Sequence, residues 1–384
     1  MRLNPVLANL GAYPIATVHE RARALQAAGV RVIDFSIGDP REPTPRFIPE
    51  ALHAAVPDVS QYPLTAGLPE LRRAIADYLG RRFDVAVDPD TQVMPTSGSK
   101  EAVFTTPLAF VDRAARDVVV YPTPGYPVYE RGALFAGAEV KPIVLDGDFV
   151  LRAQDVPDED WKRARLVWTC TPHNPTGSVT TATELAELVD KCRAEDALFL
   201  SDECYADIYE VDVFPDGPAS ALQVSGPDFD GVLTFFSCSK RSGMTGYRSG
   251  AIVGDAAAIA ALRRLRTTTG TASPDFVQAA AAAAWSDDEH AAVRREIFAR
   301  KRQILREAFA AIGLDVVESK AGLYLWIAVD DDMVATDRLL EGGVVVSPGR
   351  FFGPGGEGYL RLALVPTVEE CEAAVEVVQR CLTD

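Results

Sequence analysis

Two polar side chains follow directly on apolar, β-branched runs, where a strand delivers a residue to the rim of a sheet. Lys240 closes Ser237-Cys238-Ser239-Lys240 after the run Val232 to Phe236. A lysine at the end of a buried strand is desolvated, which lowers its pKa and leaves a neutral amine able to form a Schiff base with an aldehyde. An ordinary surface lysine at a strand exit is the plainer alternative. Arg248 follows at the end of Gly246-Tyr247-Arg248 and adds a permanent cation suited to a phosphate. Asp202, in Ser201-Asp202-Glu203-Cys204-Tyr205, comes after the run Leu198 to Leu200. A carboxylate there can keep a pyridine nitrogen protonated through a charge-assisted hydrogen bond, or it can simply cap the next helix. Tyr205 can donate its hydroxyl to a ring oxygen.

Three further blocks add binding chemistry. In Pro172-His173-Asn174-Pro175-Thr176-Gly177 the prolines and the glycine fix a tight turn that holds the Asn174 amide outward, as a neutral donor or as loop punctuation. In Thr96-Ser97-Gly98-Ser99-Lys100-Glu101, Gly98 lets the backbone approach closely. Ser99 supplies a hydroxyl, and the N–H groups of Ser99 and Lys100 open a helix, which makes an anion site or a plain N-cap. Arg361, inside the apolar strand Tyr359-Leu360-Arg361-Leu362, must find an anion, either a ligand carboxylate or a protein one. Gly38 can offer a backbone N–H to the same carboxylate, and Tyr126 can stack on a ring while Tyr129 reads as core.

The elements that must carry these residues alternate as βα units. Strands are expected at Gln92 to Met94, Asp117 to Tyr121, Leu166 to Thr169, Ala197 to Ser201, Val232 to Ser237 and Gly250 to Gly254. Helices are expected at Glu101 to Val111, Ala182 to Glu195 and Ala256 to Thr268. Phe276 to Gly313 reads as two helices, followed by strands at Gly322 to Val329, Val344 to Val346 and Tyr359 to Leu364 and a closing helix from Val368 to Cys381. A helix near Thr17 to Ala28 and a strand at Val32 to Ile37 have no partner nearby in sequence and are expected to join the C-terminal part. The expected division is an N-terminal arm, 1–45, a large domain, 46–275, and a small domain, 276–384.

Composition narrows the classes. With 384 residues, 48% hydrophobic and 24% charged, the chain is globular and too long for one core. A net charge of −17 repels phosphate backbones and anionic lipid, so neither nucleic acid nor membrane is an expected partner. The six cysteines lack a CxxC pair or a Cys/His cluster and read as reduced thiols; no metal site is expected. The first residues break at Pro5 and Pro14 without a long apolar core, which points to a cytoplasmic protein.

Taken in order, these blocks resemble the fold type I pyridoxal-phosphate (PLP) aminotransferases of class I/II. The resemblance implies an α/β fold, with a large domain of a mostly parallel seven-stranded sheet sandwiched by helices plus a smaller α/β domain. It implies PLP as cofactor and ping-pong transamination between amino-acid and keto-acid substrates. By the same resemblance Lys240 would bind the cofactor aldehyde and move the substrate proton, and Asp202 would pair with the ring nitrogen. Tyr205 and Asn174 would meet the phenolic oxygen, and Gly98, Ser99, Lys100, Ser237 and Arg248 would form the phosphate cradle. Tyr126 would stack on the ring, and Arg361 with Gly38 and Asn174 would bind the substrate. Tyr62, in Tyr62-Pro63-Leu64-Thr65-Ala66-Gly67, would reach the phosphate of a second subunit, which implies a homodimer.

Within the family, Gly38-Asp39-Pro40-Arg41-Glu42-Pro43, Lys240-Arg241-Ser242 and the glycine-rich run from Pro348 to Gly358 are similar to N-succinyldiaminopimelate aminotransferases of lysine biosynthesis. Arg41 and Arg350 are then the expected partners of the remote succinyl carboxylate. Gly243 stands where that pattern has Asn. An aspartate- or alanine-type aminotransferase or a cysteine β-lyase shares the same constellation. A PLP-binding transcription regulator would need a DNA-binding module ahead of the first motif, for which there is no room.

Overall fold

A computed structural model describes residues 1–9, 15–269 and 272–383; Pro14 lies outside the described residues. Its main sheet has seven strands in the order Val93–Thr96, Gly250–Gly254, Val232–Ser237, Leu198–Asp202, Ala164–Cys170, Val118–Thr123, Glu139–Val144. Only Gly250–Gly254 runs antiparallel to its neighbours. Val118–Thr123 and Val232–Ser237 are buried at every position, as parallel strands covered by helices on both faces must be. The helix Ala182–Ala194 shows why: Leu185, Leu188, Val189 and Cys192 recur at helical spacing and are all buried. Each of the larger apolar side chains contributes on the order of 2 kcal/mol over exposure. Its start is fixed by a capping box, in which Thr181 accepts from the Glu184 N–H and Glu184 accepts in return.

A second, antiparallel sheet has the order Ser347–Pro348, Tyr359–Ala363, Tyr324–Ala328, Val316–Val317, and Trp326 faces Arg361 across it. The chain's beginning joins this end of the molecule. Ile33–Asp34 pairs in parallel with Val344–Val345, and the Ala363 N–H donates to the Phe35 carbonyl. That pairing lays Ser36 to Gly38 beside the Arg361 strand. Among the described residues no helix is long and apolar enough to cross a membrane, and all six cysteines are free, four of them buried.

Several elements differ from expectation for local reasons. The expected strand Val32 to Ile37 pairs over two residues only, Ile33–Asp34. The expected helix Glu101 to Val111 is two pieces, Ser99–Thr105 and Pro107–Phe110, because Pro107 has no N–H to continue the ladder. The edge strand Glu139–Val144 has no counterpart among the expected strands, because it reads Glu-Val-Lys-Pro-Ile-Val, with charges and a proline that protect an edge and hide the β pattern. Phe276 to Gly313 does hold two helices, Asp275–Trp285 and Glu289–Ala310.

Candidate active site

The strands Ala164–Cys170, Leu198–Asp202 and Val232–Ser237 end side by side, and their carboxyl ends open into a cleft of about 490 Å³. Asn174, Asp202, Tyr205, Ser237, Lys240 and Arg248 line it from the main sheet, Ser99, Lys100 and Tyr126 from the helix starts, and Gly38 and Arg361 from the other side.

Lys240 sits in the short helix Cys238–Arg241, which Ser237 caps by accepting the Ser239 N–H at 3.1 Å. Its ammonium is removed from water, and burial pulls its pKa down from the usual lysine value to about 8, so near neutrality a usable fraction is free amine. Its Nζ donates to the Gly38 carbonyl. The next residue, Arg241, anchors the turn from behind: it is buried and donates to Asp207 at 2.7 Å, Asp288 at 2.6 Å and the Ala284 carbonyl at 2.7 Å.

Asp202, at the end of its strand, accepts the Tyr129 hydroxyl at 2.8 Å and the Cys204 N–H at 3.3 Å. Burial pushes its pKa up, and these donors act against that rise.

The anion side is built around Gly98. Its φ of 84° suits glycine, and a Cβ there would collide with the Arg248 guanidinium. Arg248 itself is held at φ 56°, a left-handed conformation that costs an ordinary residue about 1 kcal/mol. The fold thus presses a cation against a bare backbone at the start of the helix Ser99–Thr105.

Arg361 is nearly buried, at 7% exposure, between the rings of Tyr324 and Phe352, each 4.4 Å from its guanidinium carbon. It donates to Asn174 Oδ1 at 3.1 Å and to the Ser36 carbonyl, while its Nε has no partner among the described residues. The Asn174 amide nitrogen is left as a donor. Tyr205 and Tyr324 share a hydrogen bond between hydroxyls at 2.9 Å, and a Cβ on Gly38 would lie 2.7 Å from the Tyr324 hydroxyl, which is why glycine stands there.

Two expected site residues stand elsewhere. Arg41 pairs with Glu370 at 2.8 Å, and Arg350 grips Asp332, with Nε at 2.9 and 3.0 Å; neither lines the cleft. Tyr62 is fully exposed and outside this chain's cleft. Gly243, where Asn was expected, has φ 65°, a conformation that both Gly and Asn accept. Sequence reading missed Tyr324, Phe352 and Ser36, whose place at Arg361 depends on pairings distant in sequence. It also missed that Tyr129 touches Asp202.

The pattern of the family described as aminotransferase class I and II matches residues 30–378. The chain belongs to that family. An LL-diaminopimelate aminotransferase of Aquifex aeolicus is 36% identical over 375 residues, covering 95% of each chain. A solved aminotransferase of Neisseria meningitidis superposes with a TM-score of 0.91 at 34% identity, covering 99% of this chain and 100% of that one. A Thermus thermophilus structure described as a probable N-succinyldiaminopimelate aminotransferase gives a TM-score of 0.87 at 28% identity, covering 95% of this chain and 99% of that one. The chain is therefore a PLP-dependent aminotransferase, with amino acids and keto acids as substrates. The cleft fits that cofactor on its own evidence: a desolvated amine, a cation pressed to a bare glycine, a buried carboxylate and an orphaned guanidinium N–H.

Proposed function

We propose that this aminotransferase exchanges an amino group between the glutamate/2-oxoglutarate pair and the amino acid/keto acid pair of the diaminopimelate class, with LL-diaminopimelate as the preferred amino acid of that second pair, and that two copies form the working dimer. What carries the reading is that Lys240, Asp202, Arg248 and Arg361 line one cleft while the relatives' names point to a substrate with a carboxylate at each end. When bound, PLP supplies an aldehyde and an electron-withdrawing ring. The protein's own groups do the rest. The Lys240 amine would move the proton between the substrate Cα and the carbon of the cofactor's aldehyde group. Asp202, as a carboxylate, holds the proton on the ring nitrogen, and Asn174 and Tyr205 donate toward the phenolic oxygen. Ser99, Ser237, Arg248 and the N–H groups of Ser99 and Lys100 hold the phosphate, and Tyr126 covers the ring. Arg361 takes the α-carboxylate in its planar fork, beside the Gly38 backbone. Tyr62 of each copy reaches the phosphate bound by the other.

With Arg41 and Arg350 engaged by Glu370 and Asp332, Lys100, which lines the cleft and is exposed, is the cation among the described cleft residues that takes the distal carboxylate in this reading. The succinylated acid suggested by the motifs has the Thermus likeness behind it, whereas the relatives Aquifex and Nostoc carry the name of the unsuccinylated one. One screen separates them. The PLP-loaded protein is mixed with single amino acids, and the keto acids formed are measured. LL-diaminopimelate and glutamate should react fastest. Faster reaction of the N-succinyl form would overturn the choice of acid, and pyruvate released from cysteine would mark a β-lyase. Sedimentation should give twice the chain mass, and a monomer would remove the role of Tyr62.

A further inference from the structure

Tyr129 has no exposed surface, yet it ends in a polar contact. Its ring lies stacked on Trp168, with centroids 4.9 Å apart and planes at 20°, and edge-on to Tyr126 at 5.6 Å. Packed on these two rings, the hydroxyl donates to Asp202 Oδ2, 2.8 Å away, and also meets the Cys170 thiol. Burial pushes the phenol's pKa well up, so the hydroxyl keeps its proton and donates it to the Asp202 carboxylate. Asp202 is 5% exposed; its other oxygen takes the longer Cys204 N–H contact at 3.3 Å, and the Cys204 thiol also donates to the carboxylate. A carboxylate at this depth keeps its charge only if donors or a cation hold it. We propose that Tyr129 is a positioning residue for the cofactor ring: its hydroxyl holds Asp202 in the charged form and in the orientation that meets the ring nitrogen. This rests on the reading that Asp202 pairs with that nitrogen.

Losing one hydrogen bond to a buried charge is expected to weaken PLP binding about tenfold. The test is a double-mutant cycle on PLP affinity, measured by titrating apoprotein with PLP. The set is wild type, Tyr129→Phe, Asp202→Asn and the pair, and each variant's melting temperature checks its folding. Tyr129→Phe should weaken PLP about tenfold alone and less than twofold in the Asp202→Asn background. A second titration with 1-deazapyridoxal phosphate, which lacks the ring nitrogen, should not distinguish wild type from Tyr129→Phe. Equal losses in both backgrounds, or with both cofactors, would mean a structural role and overturn the inference. A silent Tyr129→Phe beside a weakened Asp202→Asn would overturn it alone. A silent Asp202→Asn would overturn the ring-nitrogen reading and the inference together.

Discussion

Replacing Arg361 with Lys keeps a positive charge at the cleft but discards the planar fork. In the protein that fork is held between Tyr324 and Phe352, anchored on Asn174 and the Ser36 carbonyl. A bound α-carboxylate would take two charge-assisted hydrogen bonds from it, each contributing about 1.5–3 kcal/mol, and Lys can replace one of them at most. Loss of guanidinium stacking adds about 1 kcal/mol. The expected deficit is about 3 kcal/mol, roughly two decades in kcat/KM, carried mainly by KM because the carboxylate is held before and during reaction alike. The assay is the rate of keto-acid formation from glutamate by PLP-loaded Arg361→Lys, run beside glutamate α-carboxamide. The amide should lose little further rate in the variant. A loss below about threefold on glutamate, or the same loss on both compounds, would refute the assignment of Arg361 to the substrate carboxylate.

Other consequences follow from the same geometry. The Lys240 amine, with its pKa lowered by burial to about 8, should become neutral as pH rises through that value. Its modification in apoprotein by trinitrobenzenesulfonate, followed by peptide mapping, should therefore show a midpoint near 8, and a midpoint above 10 would contradict the desolvation argument. Gly98→Ala should raise the PLP dissociation constant at least tenfold in a cofactor titration, because the new methyl strikes the Arg248 guanidinium and φ 84° penalises any side chain. Gly243→Asn should cost about 1 kcal/mol or less in denaturant unfolding while Gly243→Val costs more than about 2, since only the first accepts φ 65°.

The parts of the site that sequence made legible share one property: each chemical residue lies at the end of a buried, mostly apolar strand or within a few positions after it. Lys240, Asp202 and Asn174 were readable because a buried parallel strand announces where it ends. Arg361 was readable because a charge inside the run Tyr359–Ala363 has no cheap explanation. What sequence hid was tertiary. Tyr324 and Phe352 flank Arg361, from an adjacent strand and a glycine-rich loop, and nothing in their own neighbourhoods marks them. Tyr129 looked like core, and it is core, but its one polar atom reaches Asp202. Arg41 and Arg350 looked free because their acids, Glu370 and Asp332, are distant in sequence. The strand Glu139–Val144 was hidden by the charges and proline that suit a sheet edge.

The central claim is that one amine, at Lys240, carries the cofactor. Borohydride reduction of the PLP-loaded protein followed by peptide mass mapping tests it most directly. A pyridoxyl group on the peptide containing Lys240, at about one per chain, is the expected result; label on Lys100 or any other lysine instead, or none at all, would contradict the account.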